Sequence, residues 1–368
     1  MKILSIVDSF KGSLSSKEIA NIIKSHYKHS QHHIRTMRIS DGGEGFLEAI
    51  GHHTHSKKIY VDTVGPLGNP LNAYYLLDQK TAFIELNQAV GINQIKKHEL
   101  NPLKTSTYGL GILIKHAIET KNAKKIILGI GGSATNDGGA GMLQAMGLKF
   151  YKNNQLITEH MNGKLIGSFD DINDDALNDL IRNVKFLIAS DVNNPLLGDK
   201  GCCSMYAPQK GATKQMLVDL EEYMTTYALK IEKIKQKTFK DEHGAGAAGG
   251  VGFAAISFLN ATILSGIDFM IKQLNIEKYI KQSDVVIVGE GKLDDQTNHG
   301  KAPFGIAKLA KSYDKKVIAI CALYDGHNSS YMDKVYAIVP SIATKEESLK
   351  FPKESLIRLL ESIKEIPC

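Results

Sequence analysis

Asp8 and Lys11 stand three residues apart directly after a short apolar run, and Gly12 and Ser13 follow them. A lysine, a glycine amide and a hydroxyl at the mouth of a helix are donors for an anion. Asp8 is placed to orient a lysine or to accept a hydroxyl proton. The segment Ser40-Asp41-Gly42-Gly43-Glu44-Gly45 has a similar make-up. Its adjacent glycines let backbone approach a ligand closely, while Asp41 and Glu44, three apart, also suit a helix cap.

Four further segments carry the same chemistry. Residues 129–141 hold six glycines with Ser133, Thr135, Asn136 and Asp137, and successive amides and hydroxyls of this kind wrap phosphate oxygens. So many glycines cost backbone entropy that a mere connection does not need. Asp191 follows the apolar run 185–189, and Lys210-Gly211 precedes a helix that Thr213 is placed to cap; Lys210 there suits a phosphate, and Asp191-Val192-Asn193 also suits an Asx turn. Gly244-Ala245-Gly246-Ala247-Ala248-Gly249 has the dinucleotide spacing, but charged residues precede it where a buried strand is required. That excludes a dinucleotide fingerprint and leaves a helix start facing an anion, or a small-residue face for close packing. Last, Glu290, Asp294 and Asp295 supply oxygen ligands of the sort Mg²⁺ takes alongside phosphate oxygens, and Lys301 stands just before a helix start at Pro303.

No Walker A sequence, protein-kinase loop set or Gly-x-Ser-x-Gly elbow occurs. Phosphoryl transfer relies mostly on positioning and charge neutralisation, so separate loops rich in Gly, Asp and Lys suffice on another scaffold. A carboxylate-dependent phosphatase and a non-catalytic nucleotide-binding regulator are the competing readings. The number of acids at strand ends speaks against the regulator.

The elements that must position these loops follow from the hydrophobic pattern. The chain has 368 residues, 43% apolar and 23% charged, enough for two domains. Apolar runs at 2–7, 34–39, 57–62, 284–288, 316–321 and 334–339 alternate with helical patterns, the grammar of parallel α/β structure. Ser15 and Glu18 form a capping box for the first helix. We expect a Rossmann-like doubly wound parallel sheet of strand order 3-2-1-4-5-6, built from 1–64 and 283–368. The Asp8–Ser13 and 289–294 loops then meet at its switch point. A second, mixed α/β domain is inserted at 65–282, since strands near 72–77 and 82–86 are joined by a turn at 78–80. The net charge of +6 is spread along the chain, which favours anionic small molecules over nucleic acid. No apolar run has the length of a membrane span, the first residues read as a strand instead of a signal peptide, and four unpatterned cysteines suit a reducing cytoplasm.

Taken in order, these loops resemble the bacterial glycerate kinase family. The matching stretches are Asp8–Ser13, Asp41–Gly45, Asn101-Pro102, Thr107–Gly109, Gly131–Gly141, Asp191 with Asn194-Pro195, Pro208–Ala212, Gly244–Gly250, Gly289–Gly291 and Gly300–Pro303. They span nearly the whole chain. The resemblance implies a flavodoxin-like domain carrying an inserted α/β domain, and phosphorylation of D-glycerate with ATP and Mg²⁺, 2-phosphoglycerate being favoured, in the cleft between the domains. On that reading Asp8 or Asp191 is the general base and Lys11 is catalytic. Gly131, Gly132, Ser133, Asn136, Asp137, Lys210, Gly244 and Gly246 contact nucleotide. Ser13, Asp41, Glu44 and Lys301 bind substrate, and Glu290 and Asp294 hold the metal. The protein is expected to be a monomer or homodimer. The chain departs from the family pattern at Val7, Ser40, Asn87-Gln88, Cys202-Cys203, Tyr206-Ala207 and Ile320-Cys321-Ala322, positions that line loops without altering the acids or lysines.

Overall fold

The computed structural model describes residues 1–293, 302–326 and 331–363. Along the chain its strands are β1 (Lys2–Val7), β2 (His33–Met37), β3 (Lys57–Val64), β4 (Pro70–Asp78), β5 (Thr81–Glu85), β6 (Lys125–Gly129) and β7 (Lys149–Lys152). They continue as β8 (Gln155–Leu156), β9 (Asp171–Asn173), β10 (Lys185–Ala189), β11 (Thr262–Leu264), β12 (Val285–Leu293), β13 (Lys316–Tyr324) and β14 (Lys334–Val339). The residues group into two compact units. One comprises 1–41, 48–54 and 265–368, the other 42–47 and 55–264.

The first unit is a parallel sheet of order β14-β13-β12-β1-β2. Its central strands are largely apolar, with all but the first residue of β1 and the first five residues of β12 buried. That is the pattern of strands covered on both faces. Ile3, Val7, Ile287 and Ile320 pack with Ile19, Ile23, Leu356 and Leu359 into one core. The first helix, Ser16–His26, has Ser15 at its N-cap and the full capping box with Glu18, as its sequence requires.

Six strands are expected in this sheet and five are found. β3 instead pairs antiparallel with β4 and forms an edge of the other sheet. Its alternation explains the difference: Lys57, Lys58, Tyr60 and Asp62 are exposed while Val61 and Thr63 are buried. A strand with one wet face suits an antiparallel edge and not the interior of a doubly wound sheet. The turn at 65–69, closed by Gly65 N–H donating to the Asn69 carbonyl at 2.8 Å, joins β3 to β4 as a hairpin.

The second unit has a six-stranded mixed sheet, order β11-β10-β6-β5-β4-β3, antiparallel from β3 to β5 and parallel from β5 to β11. A small antiparallel sheet, β8-β7-β9, stands beside it in the chain. Phe150, Phe169, Tyr227 and Phe253 pack edge to face through its core. Among the described residues no helix is long and apolar enough to cross a membrane.

Candidate active site

In the first unit, β1 and β12 are neighbours in register, with Val7 opposite Gly289. The chain steps from β1 to β2 on one side and from β12 to β13 on the other, so the loops beyond these two strands share the switch point of the sheet. Gly291 permits the close approach: a Cβ there would stand 3.1 Å from the Phe10 Cα and 3.2 Å from the Lys11 nitrogen.

Four ionisable groups gather here. Asp8 is 7% exposed; its backbone N–H donates to the Gly289 carbonyl at 2.9 Å, and its Oδ1 accepts from the Ser9 N–H at 2.6 Å. Burial, then the nearby Asp41 charge, push its carboxyl up to about 8, with Glu290 adding to the rise and the Ser9 N–H and Lys11 opposing it. Lys11 lies 3.6 Å from Asp41 Oδ2 on a side chain that is 77% exposed. Asp41, Asp8 and Glu290 hold its ammonium above the ordinary range. Ser13 faces its own turn: its hydroxyl donates to the Phe10 carbonyl at 3.0 Å.

In the second unit, two glycine loops pack backbone against backbone. A Cβ on Gly131 would stand 2.4 Å from the Gly43 Cα, which is why position 131 takes no side chain. The 42–47 turn is fixed from a distance. Glu85, at the end of β5 and buried, accepts from the Gly45 N–H at 3.3 Å and the Leu47 N–H at 3.0 Å. No local signal marks Glu85, because its partners lie some forty residues earlier. Glu44 itself is exposed.

Behind the front of the 131–141 loop lies a dense polar interior. Asn136 and Asp137 are 0% exposed and Lys210 is 2% exposed. Lys210 Nζ donates to the Thr135 carbonyl at 2.6 Å and to Asn136 Oδ1 at 2.9 Å. Burial lowers its pKa to about 8, against the opposing pull of Cys202, Cys203 and Asp137. Asp137 accepts from the Thr107 N–H and hydroxyl, both at 2.7 Å, and from the Gly139 and Gly141 N–H groups, both at 3.2 Å. Burial raises the Asp137 pKa while those donors oppose the rise. The polar atoms of Asn136, Asp137 and Lys210 are therefore engaged within the protein, and these residues brace the loop from inside.

Ser133 stays nearer the front: 6% exposed, its Oγ is 2.8 Å from the Thr135 hydroxyl. Gly244 and Gly246 are buried too. Gly246 donates its N–H to the Asn194 carbonyl at 3.0 Å, and a Cβ on Gly246 would stand 2.2 Å from the Pro195 carbonyl oxygen. Asp191 follows β10 in this second unit, and Asp8 belongs to the first. Asp294 and Lys301 lie outside the described residues.

Thr107 tests the bracing. Replacing it with Val removes one donor to a buried carboxylate and the acceptor of the Met142 N–H at 2.8 Å. We expect Thr107→Val to cost about 1–3 kcal/mol in denaturant unfolding and Thr107→Ser to recover most of it. Equal stability of Val and wild type would refute the bracing role.

The comparisons with known proteins fit this architecture. The model of the glycerate kinase family matches residues 3–366. A glycerate kinase of Bacillus subtilis (strain 168) is 39% identical over 371 residues, covering 99% of this chain and 97% of that protein. The glycerate 2-kinase of Escherichia coli (strain K12) is 38% identical, with the same coverage of each. The crystal structure of a candidate glycerate kinase 2 from Salmonella typhimurium LT2 superposes with a TM-score of 0.82 at 36% identity, covering 99% of this chain and 97% of its own.

Proposed function

We propose that this chain, which belongs to the glycerate kinase family, transfers a phosphoryl group from ATP to D-glycerate, with the C2 hydroxyl as acceptor. The observation that carries the mechanism is the gathering of Asp8, Asp41 and Glu290 about Lys11, beyond β1, beyond β2 and in the last half of β12. The C2 preference rests on the activity named for the Escherichia coli relative.

Asp8 is our general base. A pKa near the operating pH is what proton transfer from a hydroxyl needs, and burial with Asp41 brings Asp8 there. Its Oδ1 is held by the Ser9 N–H, so we assign the arriving proton to Oδ2. Lys11 is exposed enough to meet a ligand and is surrounded by acids that keep it charged. It pairs with the glycerate carboxylate or with the transferred phosphoryl group. Asp41 orients Lys11. In the second unit, Gly131, the Gly132 amide and the Ser133 hydroxyl take the nucleotide phosphates, while Asn136, Asp137 and Lys210 keep that loop in shape. Glu44 and Lys301 bind substrate.

Among the described residues no three His, Cys, Asp or Glu side chains gather as a ready metal cage. Mg²⁺ typically needs only one or two carboxylates beside phosphate oxygens, and Glu290 with Asp294 would meet that requirement. When bound there it would neutralise charge on the phosphates.

Lys11→Ala is expected to lower kcat/KM by about 10²–10³-fold, the scale of one lost charge-stabilising donor. Because Lys11 lowers the Asp8 pKa, its loss also moves the alkaline-rising limb of the pH–rate profile to higher pH. An unmoved limb at normal rate would remove Lys11 from the site. The reading as a whole is tested by ADP release over a panel of hydroxy acids. Glycerate-dependent ADP release supports it, phosphate release from phosphoglycerate without ATP favours a phosphatase, and ATP binding without turnover favours a regulator.

A further inference from the structure

In the second unit, β3 forms one end of the six-stranded sheet, and among the described residues no strand pairs with its outer edge. Such an edge presents unpaired N–H and C=O groups to any strand that fits it. The wet face of β3 carries Lys58, Tyr60 and Asp62, alternate residues and all exposed. β4 holds each of them from the inner side. Tyr60 lies opposite Tyr74, ring centroids 5.6 Å apart. The Lys58 ammonium stands 4.5 Å from the centre of the Tyr74 ring, and Asp62 Oδ1 accepts from Asn72 Nδ2 at 2.7 Å. Tyr60 is nevertheless 61% exposed, a large aromatic surface in the middle of the edge.

This row is complementary to itself. A two-fold axis normal to the sheet sets β3 antiparallel to the β3 of a second copy and keeps both wet faces on one side, so residues of one face meet residues of the same face. With the axis at Tyr60, the two Tyr60 side chains meet, and Lys58 of each copy meets Asp62 of the other. On the opposite face Ile59 meets Val61 and Lys57 meets Thr63. An axis at Ile59 sets Lys58 against Tyr60 and Asp62 against Ser56, and an axis at Val61 sets Lys58 against Val64 and Asp62 against Tyr60. Both leave the charges unmatched. Lysines at an edge ordinarily turn stray strands away; these admit a strand that offers an acid at the matching place.

We propose that this chain forms a two-fold dimer in which β3 pairs with the β3 of a second copy about Tyr60, joining the two six-stranded sheets into one. Main-chain bonds along the edge supply affinity, and the Tyr60 and Lys58–Asp62 contacts fix the register. A strand of another protein could use the same main-chain groups, but nothing obliges it to carry an acid and an aromatic at this spacing. A second copy does so by symmetry. Dimerisation here is independent of which residues carry the phosphoryl chemistry.

Sedimentation equilibrium over a concentration series tests it, with circular dichroism checking that each variant stays folded. Wild type should show a monomer–dimer equilibrium. Lys58→Asp and Asp62→Lys each set like charges opposite one another and should each weaken the dimer by about tenfold or more. The Lys58→Asp/Asp62→Lys double variant matches the charges again and should recover it. Tyr60→Cys should give a disulfide-linked dimer with oxidised glutathione, because opposite residues of an antiparallel pair bring their Cβ atoms to about 4.5–5.5 Å. Lys57→Cys, which faces Thr63, and wild type should not. Wild type that stays monomeric at every concentration would leave the edge to a strand of another protein and overturn the proposal. A dimer untouched by the single charge reversals, or a double variant no better than the singles, would overturn it as well.

Discussion

Asp8→Asn is expected to lower kcat by about 10²–10⁴-fold, the usual worth of a general base, and at the same time to make the protein more stable at neutral pH. The two effects have one cause. Burial and the Asp41 charge raise the Asp8 pKa from 3.8 to about 8 in the folded chain. The folded state then keeps its proton at a pH where the unfolded chain has lost it. Stability is greatest below the unfolded value, near pH 4, and falls as pH climbs toward about 8. Asn carries no proton to lose and escapes that fall. At about 1.4 kcal/mol per pKa unit, and allowing for the neighbouring charges that share the shift, the gain at pH 7 is on the order of 2–4 kcal/mol. Denaturant unfolding from pH 4 to pH 8 should show the gap between variant and wild type opening with pH. In the free enzyme, kcat/KM of the wild type should rise through a pKa near 8. A stability gap that does not change with pH would mean that Asp8 is not held protonated by its surroundings.

The second large effect falls on stability. Asp137→Ala removes the acceptor for three buried N–H groups and one hydroxyl, those of Thr107, Gly139 and Gly141. A buried donor left bare costs about 1–3 kcal/mol, so the sum reaches about 4 kcal/mol or more, a loss that few point substitutions approach. Relief of the desolvation that raises the Asp137 pKa offsets part of this, but the carboxylate alone bears that burial while three amides and a hydroxyl lose a partner. Asn at 137 keeps one accepting oxygen and turns its amide NH₂ toward donors, so it should fall between Ala and wild type. Combined with Thr107→Val, the Ala variant should lose less than the two single effects added together, since both remove the same bond. Full additivity in that cycle would show that Thr107 and Asp137 act apart.

Much of this was legible because it is local. An apolar run ending in Asp8, a capping box at Ser15 and Glu18, and six glycines within 129–141 announce a buried strand, a helix start and a backbone-lined loop from neighbouring residues alone. β3 was misassigned to the parallel sheet because its length and β-branched content suit either sheet. Only its charged alternation, Lys57 to Asp62, marks the wet edge. The small sheet β7 to β9 was missed since strands of two to four largely polar residues leave no period to detect. Residue type also does not reveal direction. Asn136, Asp137 and Lys210 are the residues a phosphate would choose, and the fold buries all three, Lys210 bonded to Asn136 and Thr135 and Asp137 to Thr107, Gly139 and Gly141. Glu85 is the converse case: a lone acid at a strand end whose partners at Gly45 and Leu47 become visible only when β5 lies beside the turn.

The central claim is that Asp8 activates a glycerate hydroxyl for phosphoryl transfer. Wild type and Asp8→Asn, each given ATP, Mg²⁺ and D-glycerate and followed by phosphorus NMR, test it in one measurement. The account predicts 2-phosphoglycerate and ADP accumulating in step with wild type, and a product signal at least about 100-fold slower with a variant that remains folded. Near-equal product formation by the two proteins, or no glycerate-dependent product with wild type, would contradict it.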